Sequence, residues 1–505
     1  MEIRQVTPAL APALARFFAV LVAAEDDKFF RPHALDADTA KRIAAHQGQD
    51  LYYVAVEGEE IVGYGLLRGW DEGFEIPSLG IAVHPKVRGT PLARALMSFL
   101  HAAAAAHGAP AVRLRVSPGN RPAVSLYKNL GYKFEAEADL LVGHLDFRPE
   151  TAWIPWARPV LFGDERRAVV EAVDSTALSD GPFIRKFEQA FSALHGRESL
   201  CVSSGTTALH LALLGLGVVG PGDEVILPGW GFAAAANMTI ACGAIPVFAD
   251  VCDDTWLLDP VDVQRLITSR TRAIVATHTY GNMVNMDALA AVAPGVAIIE
   301  DCAESLFSTW KGRLAGTMGK IGIYSFQATK TITCGEGGLV LADDQDLLER
   351  MRLFRSHGMR STRKYFHEIP GHNFRLTNLQ AAMLCAQFSH RQELSGMRDK
   401  VHAGYKARLP GARFQHIPSE VNPVMWAIGI RLEAGHRDAV MQNLLAANIE
   451  TRPGFPAMSE QPLYRASRLP VSERIASEVL CLPAPADLSE AEIDRICNVL
   501  RPMIA

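Results

Sequence analysis

SFQATKTITCGEGG, residues 325–338, holds Lys330 in a glycine-flanked turn between two apolar runs, 321–326 and 338–342. Runs this short, bounded by turn residues, read as buried strands rather than helices. A lysine in the turn after a strand can reach an aldehyde, whereas most lysines lie on solvated faces. Ser325 stands five residues before it, at the end of the first strand.

Outward from this turn, further apolar runs at 224–228, 246–251, 273–278 and 296–300 alternate with helical stretches such as 207–216. The alternation predicts an α/β fold, a mostly parallel sheet covered by helices, with ligands bound outside the carboxyl ends of the strands. After about residue 388 the pattern predicts a smaller α+β unit, with a strand near 424–432, a helix near 436–447 and a last helix over 490–500. Upstream, residues 1–147 read as a separate α/β unit: a helix, strands at 51–56, 60–67 and 79–83, a helix at 92–106, one more strand and a short helix. Between the two, 148–158 contains Pro149 and Pro155 and runs into Pro159 without apolar periodicity, so it reads as an extended connector. The expected division is therefore 1–147, a linker over 148–158, and 159–505, the last split near 388 into a large and a small domain.

A chain of 505 residues exceeds what one core organises, in keeping with this division. With 49% hydrophobic and 21% charged residues it is an ordinary globular composition. A net charge of -5 supplies no basic field for a nucleic acid and no polybasic run for a membrane, which leaves small molecules and copies of itself as partners. The eight cysteines form no CxxC pair and have no histidine at metal-ligand spacing, so no metal site is expected and a reduced, cytoplasmic chain fits best. The apolar stretch 17–24 follows Glu2, Arg4 and Arg16 in an amphipathic pattern and is too short to span a bilayer, so it reads as a core-facing helix.

Two more segments carry chemistry. SSGTTALH (203–210) opens an apolar helix, where the amides of Gly205 and Thr206 and the Thr206 hydroxyl can hold a phosphate, although such turns also simply cap helices. IIEDCAES (298–305) ends a strand with Asp301 at the carboxyl edge of the sheet. An anion there can keep a pyridine nitrogen protonated and make the ring an electron sink; the alternative is a solvated strand-end aspartate. Phosphate cradle, pyridine partner and reactive lysine are together what pyridoxal chemistry requires.

From about residue 154 to the C-terminus these residues resemble the DegT/DnrJ/EryC1/StrS family, nucleotide-sugar aminotransferases among the fold-type I pyridoxal enzymes. The resemblance implies pyridoxal 5'-phosphate held as a Schiff base by Lys330, with Asp301 on the pyridine nitrogen, Glu304 at the ring O3' and Ser325 on the phosphate. It places Phe232 of LPGWGF (227–232) against the ring. GHNFRLTNLQAA (371–382) resembles the segment through which a neighbouring subunit gives an asparagine to the phosphate, so Asn373 would act in trans in a homodimer. Many members carry Gln where this chain has Glu304. Members that deoxygenate replace the lysine by His, and Lys330 sets this chain apart from them. IETRPGFP (449–456) and LPAPADLSEAEID (482–494) most resemble the 4-keto-6-deoxyhexose aminotransferases of the perosamine synthase kind. Trp426 and Arg452 are candidates for lining the sugar-nucleotide site, against the alternatives of a packed tryptophan and a surface arginine.

In the first unit, AVHPKVRGTPLARALM (82–97) joins a strand to a helix through a basic, glycine-containing loop able to offer amides to a pyrophosphate. Together with LRVSPGNRPAVSLYKNLGY (114–132) it resembles the GCN5-related N-acetyltransferases (GNAT) over roughly residues 1–146. That resemblance implies acetyl-CoA bound along Val83, Arg88, Gly89, Thr90 and Asn120, with Tyr127 protonating the departing thiolate. The chain departs from the pattern at Pro91, where a second glycine is usual and proline removes an amide donor. Glu75, just before the central strand, can take a proton from an incoming ammonium or be a plain exposed carboxylate. The function so implied is amino transfer from L-glutamate to a nucleotide-linked keto sugar, then N-acetylation of the product. The alternative is an aminotransferase whose first domain only binds or stabilises a dimer. A regulator built on the same fold is disfavoured, because the first unit is strand-rich and not basic.

Overall fold

The alternating runs become, in the computed structural model, one seven-stranded sheet in the order Ile245–Ala249, Glu224–Pro228, Thr271–Thr277, Ala297–Asp301, Ile321–Ser325, Gly338–Ala342, Glu198–Val202. The first five strands are parallel, as expected; Gly338–Ala342 runs antiparallel to them, and Glu198–Val202, antiparallel to Gly338–Ala342, returns to their direction. Residues 2–504 are described except 59, 148–151, 219, 361, 364 and 465, with the backbone alone at 27. The strands read as unbroken apolar runs because both faces are covered. Val225, Val275 and Ile299 pack on one face with Leu209 and Leu213 of the helix Gly205–Gly215, while Ile226, Ile274 and Ile298 pack on the other.

This topology gathers the chemistry at one edge. Ala297–Asp301 and Ile321–Ser325 run side by side, so Asp301 and Ser325 leave the sheet at neighbouring carboxyl ends. Gly338 pairs with both Ser325 and Val202, which brings the start of Gly205–Gly215 to the same place.

A second, four-stranded sheet, Arg413–Phe414, Ile428–Arg431, Val479–Leu482 and Arg452–Pro453, shares its own apolar cluster with the helices Arg391–Arg408 and Glu490–Leu500. The strand expected over 424–432 is shorter than that. Val424 donates its N–H to Ser308 Oγ and Trp426 donates to the Tyr280 carbonyl, so neither joins a ladder. Of the expected connector, 148–151 lies outside the described residues. Ile154 forms a parallel bridge with Ile449, Trp156 donates its N–H to Glu450 Oε2 at 3.0 Å, and Arg158 pairs with Asp487 at 2.8 Å.

The chain divides into Met1–Ala152 and Trp153–Ala505. The first unit is a seven-stranded sheet in the order Glu2–Gln5, Leu51–Glu57, Glu60–Arg68, Ser78–Val83, Ala111–Val116, Leu140–Asp146, Lys133–Glu137. The first and the last two of these strands, and the helix Ala37–Ala44, go beyond the elements expected from the sequence. Lys133–Glu137 is mostly exposed and lacks the alternation that marks a half-buried strand. The helix Ala11–Ala23 turns Leu14, Phe17, Phe18 and Leu21 into the core, the i, i+3, i+4, i+7 set of an amphipathic helix. Ser78–Val83 and Ala111–Val116 are parallel but pair only at Ser78 with Arg113, and part beyond that point. No helix among the described residues is long and apolar enough to cross a membrane.

Candidate active site

Lys330 sits in the turn after Ile321–Ser325 with its side chain 13% exposed, and its Nζ lies 3.6 Å from Glu304 Oε1. Burial holds the lysine below its usual affinity for a proton, and Glu304 and Asp301 pull it back up. The same burial pushes the Glu304 carboxyl up against the pull of Lys330. Asp301 is 8% exposed, and burial raises it too, opposed first by the Ala303 amide on its Oδ1 at 3.1 Å and then by Lys330. Three ionisable groups thus share one dry pocket at the sheet edge, each made easier to neutralise than it would be in water.

The start of the helix Gly205–Gly215 is seated by close backbone approach. A Cβ on Gly338 would lie 2.3 Å from the Ser204 carbonyl oxygen and 2.8 Å from Gly205 N, and one on Gly205 would lie 2.7 Å from Ser325 Cβ. Only glycine at these positions lets the helix start dock on Ser325. Ser204 caps the helix in a reciprocal box with Thr207. The amides of Gly205 and Thr206, ahead of Thr207, have no intrahelical acceptor by position and remain available to an anion.

Phe232 is 64% exposed, with its ring 6.1 Å from Phe455. Asn373 is exposed, and its Oδ1 accepts Arg375 Nε at 3.0 Å. Arg452 is a surface group paired with Glu450 at 2.5 Å. Trp426 lies against Lys330, its ring centroid 3.6 Å from Lys330 Nζ. Two other residues at the pocket escaped the sequence reading. Tyr280 holds a left-handed φ of 66°, which aims its N–H at Glu304 Oε2, 3.0 Å away. Arg398 is buried, and its Nη1 donates to the Trp426 carbonyl at 3.1 Å. The Tyr280–Gly281 pair marks a turn but not its target, and Arg398 looks like any helix arginine.

His278, Glu300 and Cys302 place ligand atoms within 4.8 Å of one another beneath the site. Their polar atoms are already engaged. His278 Nδ1 accepts the Val284 N–H at 3.1 Å, its Nε2 meets Glu300 at 3.1 Å, and Glu300 also takes the amides of Gly316, Met318 and Gly319. This cluster pins the end of the strand that carries Asp301.

In the first unit, Val83 ends its strand, and the loop after it is tightly wound. Arg88 N donates to the Pro85 carbonyl and Thr90 N to Val87, both at 3.3 Å, and Gly89 holds φ 79°. Pro91 occupies the N-cap of the helix Leu92–Ala106 and offers no N–H. Tyr127 is 8% exposed, and burial pushes its hydroxyl up to about 12. Asn120 caps the helix Arg121–Asn129 by accepting the Ala123 N–H at 3.3 Å. Glu75 is exposed in the loop before Ser78–Val83.

The donor set of the larger unit fits pyridoxal 5'-phosphate: a lysine amine within reach of a buried pocket, a buried carboxylate suited to a pyridinium, and free helix-start amides for the phosphate. Residues 161–501 match the DegT/DnrJ/EryC1/StrS aminotransferase family, and residues 18–132 match the acetyltransferase (GNAT) family. The chain is 40% identical over 358 residues to GDP-perosamine synthase of Caulobacter vibrioides, a match covering 68% of this chain and 96% of that one. It is 35% identical over 354 residues to GDP-perosamine synthase of Escherichia coli O157:H7, covering 68% and 97%. Among solved structures, S. venezuelae DesV is similar with a TM-score of 0.64 and 34% identity, over 67% of this chain and 94% of that one. The chain therefore belongs to the DegT/DnrJ/EryC1/StrS aminotransferase family, enzymes that use pyridoxal phosphate, and carries a GNAT acetyltransferase domain ahead of that fold.

Proposed function

We propose that the protein moves an amino group from L-glutamate to the keto carbon of a nucleotide-linked 4-keto-6-deoxyhexose and then acetylates the new amine from acetyl-CoA. The observation that carries the first step is the pairing of Lys330 with Glu304 and Asp301 in one buried pocket, in a chain 40% identical to a GDP-perosamine synthase. When bound, pyridoxal phosphate supplies an aldehyde that captures an amine and a ring that draws electrons from the adjoining carbon. Asp301 would keep the positive charge on the ring nitrogen, Glu304 would meet the ring oxygen, and Phe232 would pack on the ring. Ser325, the Thr206 hydroxyl and the amides of Gly205 and Thr206 hold the phosphate, and Asn373 completes that site in the other copy of a homodimer. Lys330 Nζ would move the proton at the donor's carbon and, for the second substrate, at the sugar carbon. Burial lowers the proton affinity of that amine and so favours the neutral form that takes the proton.

In the first unit, amides of the loop around Arg88, Gly89 and Thr90 and the edge at Val83 hold the pyrophosphate arm of acetyl-CoA, with Asn120 fixing the helix start beside it. Glu75 takes the proton of the incoming ammonium, and Tyr127, protonated at neutral pH, gives one to the departing sulfur. A second reading, a first unit that binds without turnover, is favoured by the loop itself: Pro91 has no N–H, and those of Arg88 and Thr90 already donate within the turn. The test is mass spectrometry of products formed from GDP-4-keto-6-deoxymannose or dTDP-4-keto-6-deoxyglucose with glutamate, with and without acetyl-CoA, beside Lys330→Ala. An amino sugar that gains acetyl supports both steps. One that never does leaves the second reading, and no amination of either sugar sinks the substrate assignment.

A further inference from the structure

Lys330 faces two partners at equal range. Its Nζ is 3.6 Å from Glu304 Oε1 and 3.6 Å from the centroid of the Trp426 ring. The indole is 8% exposed and held on every side: Nε1 donates to the Thr329 carbonyl at 2.8 Å, the backbone N–H to the Tyr280 carbonyl at 3.0 Å, and the backbone carbonyl accepts Arg398 Nη1 at 3.1 Å. Trp156 packs edge-to-face with it, the ring centroids 5.6 Å apart at 88°. The bond to Thr329, the residue just before Lys330, locks the ring to the lysine's own backbone. An indole face attracts an ammonium and does little for a neutral amine, and the attraction grows where water is excluded.

We propose that Trp426 is a positioning residue that seats the Lys330 amine in its protonated form, aimed across the pocket, whenever the lysine is not bonded to the cofactor. This rests on the amino-transfer reading above and deepens it, because proton delivery needs the amine charged and pointed at one carbon. The other charged groups facing Lys330 are Glu304 and Asp301, which favour the ammonium, and Arg398, which opposes it. With an opposing guanidinium buried nearby, the ring face keeps the charge on the lysine without adding a further anion to a pocket that already holds two carboxylates.

The test uses the full chain freed of cofactor. Labelling of Lys330 by acetic anhydride is followed against pH by peptide mass spectrometry in the parent, Trp426→Phe and Trp426→Leu. Loss of the ring in Trp426→Leu is expected to lower the labelling midpoint by about one pH unit, with Trp426→Phe, which keeps a smaller face, falling less. A midpoint that rises in Trp426→Leu, as losing a mere barrier to water would cause, overturns the proposal, as does no movement in either variant. If the leucine variant does not fold, the direction of the Trp426→Phe shift decides in the same way. No sugar or cofactor enters the measurement, so its outcome is separate from whether amino transfer is observed.

Discussion

Glu304 faces Lys330 across 3.6 Å with one carboxylate oxygen, while its other oxygen accepts the Tyr280 N–H at 3.0 Å. The carboxylate is therefore fixed in orientation by a backbone donor and tuned in charge by the lysine. Glu304→Gln keeps an acceptor for Tyr280 and loses the anion. In the cofactor-free protein the Lys330 labelling midpoint is expected to fall by about one pH unit. Amino transfer should fall less than about tenfold, since an amide can donate to the ring oxygen without first gaining a proton. Turnover and labelling against pH check both.

Gly338→Ala places a methyl 2.3 Å from a backbone oxygen that has nowhere to move. The helix start should be pushed off Ser325, with cofactor affinity falling by about tenfold or more, equal to about 1.4 kcal/mol. Spectroscopic titration of the cofactor measures it. Melting of the cofactor-free variant separates a local loss from a general one.

Tyr127→Phe keeps the ring in its cluster and removes only the hydroxyl, whose proton burial holds up to about 12. Acetyl transfer to the amino sugar is expected to slow by about a hundredfold, while formation of the amino sugar is unchanged. Product ratios from one incubation with both cosubstrates give the answer. An unchanged acetylation rate would remove Tyr127 from the chemistry.

His195 gives a pH dependence with a definite sign. It is 7% exposed and stacked on Phe191 at 4.1 Å, its Nδ1 donates to the Phe191 carbonyl, and burial lowers it from the usual 6.5 to about 4. A folded value below the unfolded one means stability that is present above pH 6.5 and is lost as pH falls towards 4. The loss is about 3 kcal/mol. The urea midpoint of the parent should drop more between pH 7 and pH 4.5 than that of His195→Phe, the difference isolating this histidine from other groups titrating there.

Much of this architecture was legible because its cause is periodic. The strands Glu224–Pro228 and Gly338–Ala342 and the helices Leu92–Ala106 and Glu490–Leu500 have the bounds that apolar patterning and flanking turn residues imply. Where patterning is weak, it fails. Lys133–Glu137 reads as polar, and 424–426 looks like strand but spends its backbone donors on Ser308 and Tyr280 from distant segments. The same division runs through the pocket. Lys330 and Asp301 are singled out by a turn and a strand end, and Ser325 by the family resemblance alone. The hold of Tyr280 on Glu304, the seat of the lysine on Trp426 and the support of Arg398 arise from tertiary approach, which leaves no local mark.

The stitching of Ile154, Trp156 and Arg158 into the small sheet and its surroundings bears on modularity. Trp156 packs edge-to-face with the indole that lies 3.6 Å from Lys330 Nζ, so the chain's route into this unit already touches the wall of the Lys330 pocket. A domain grafted at this end must join ahead of residue 154, and an exchange of modules cut a few residues later would take part of that pocket wall away with the piece removed.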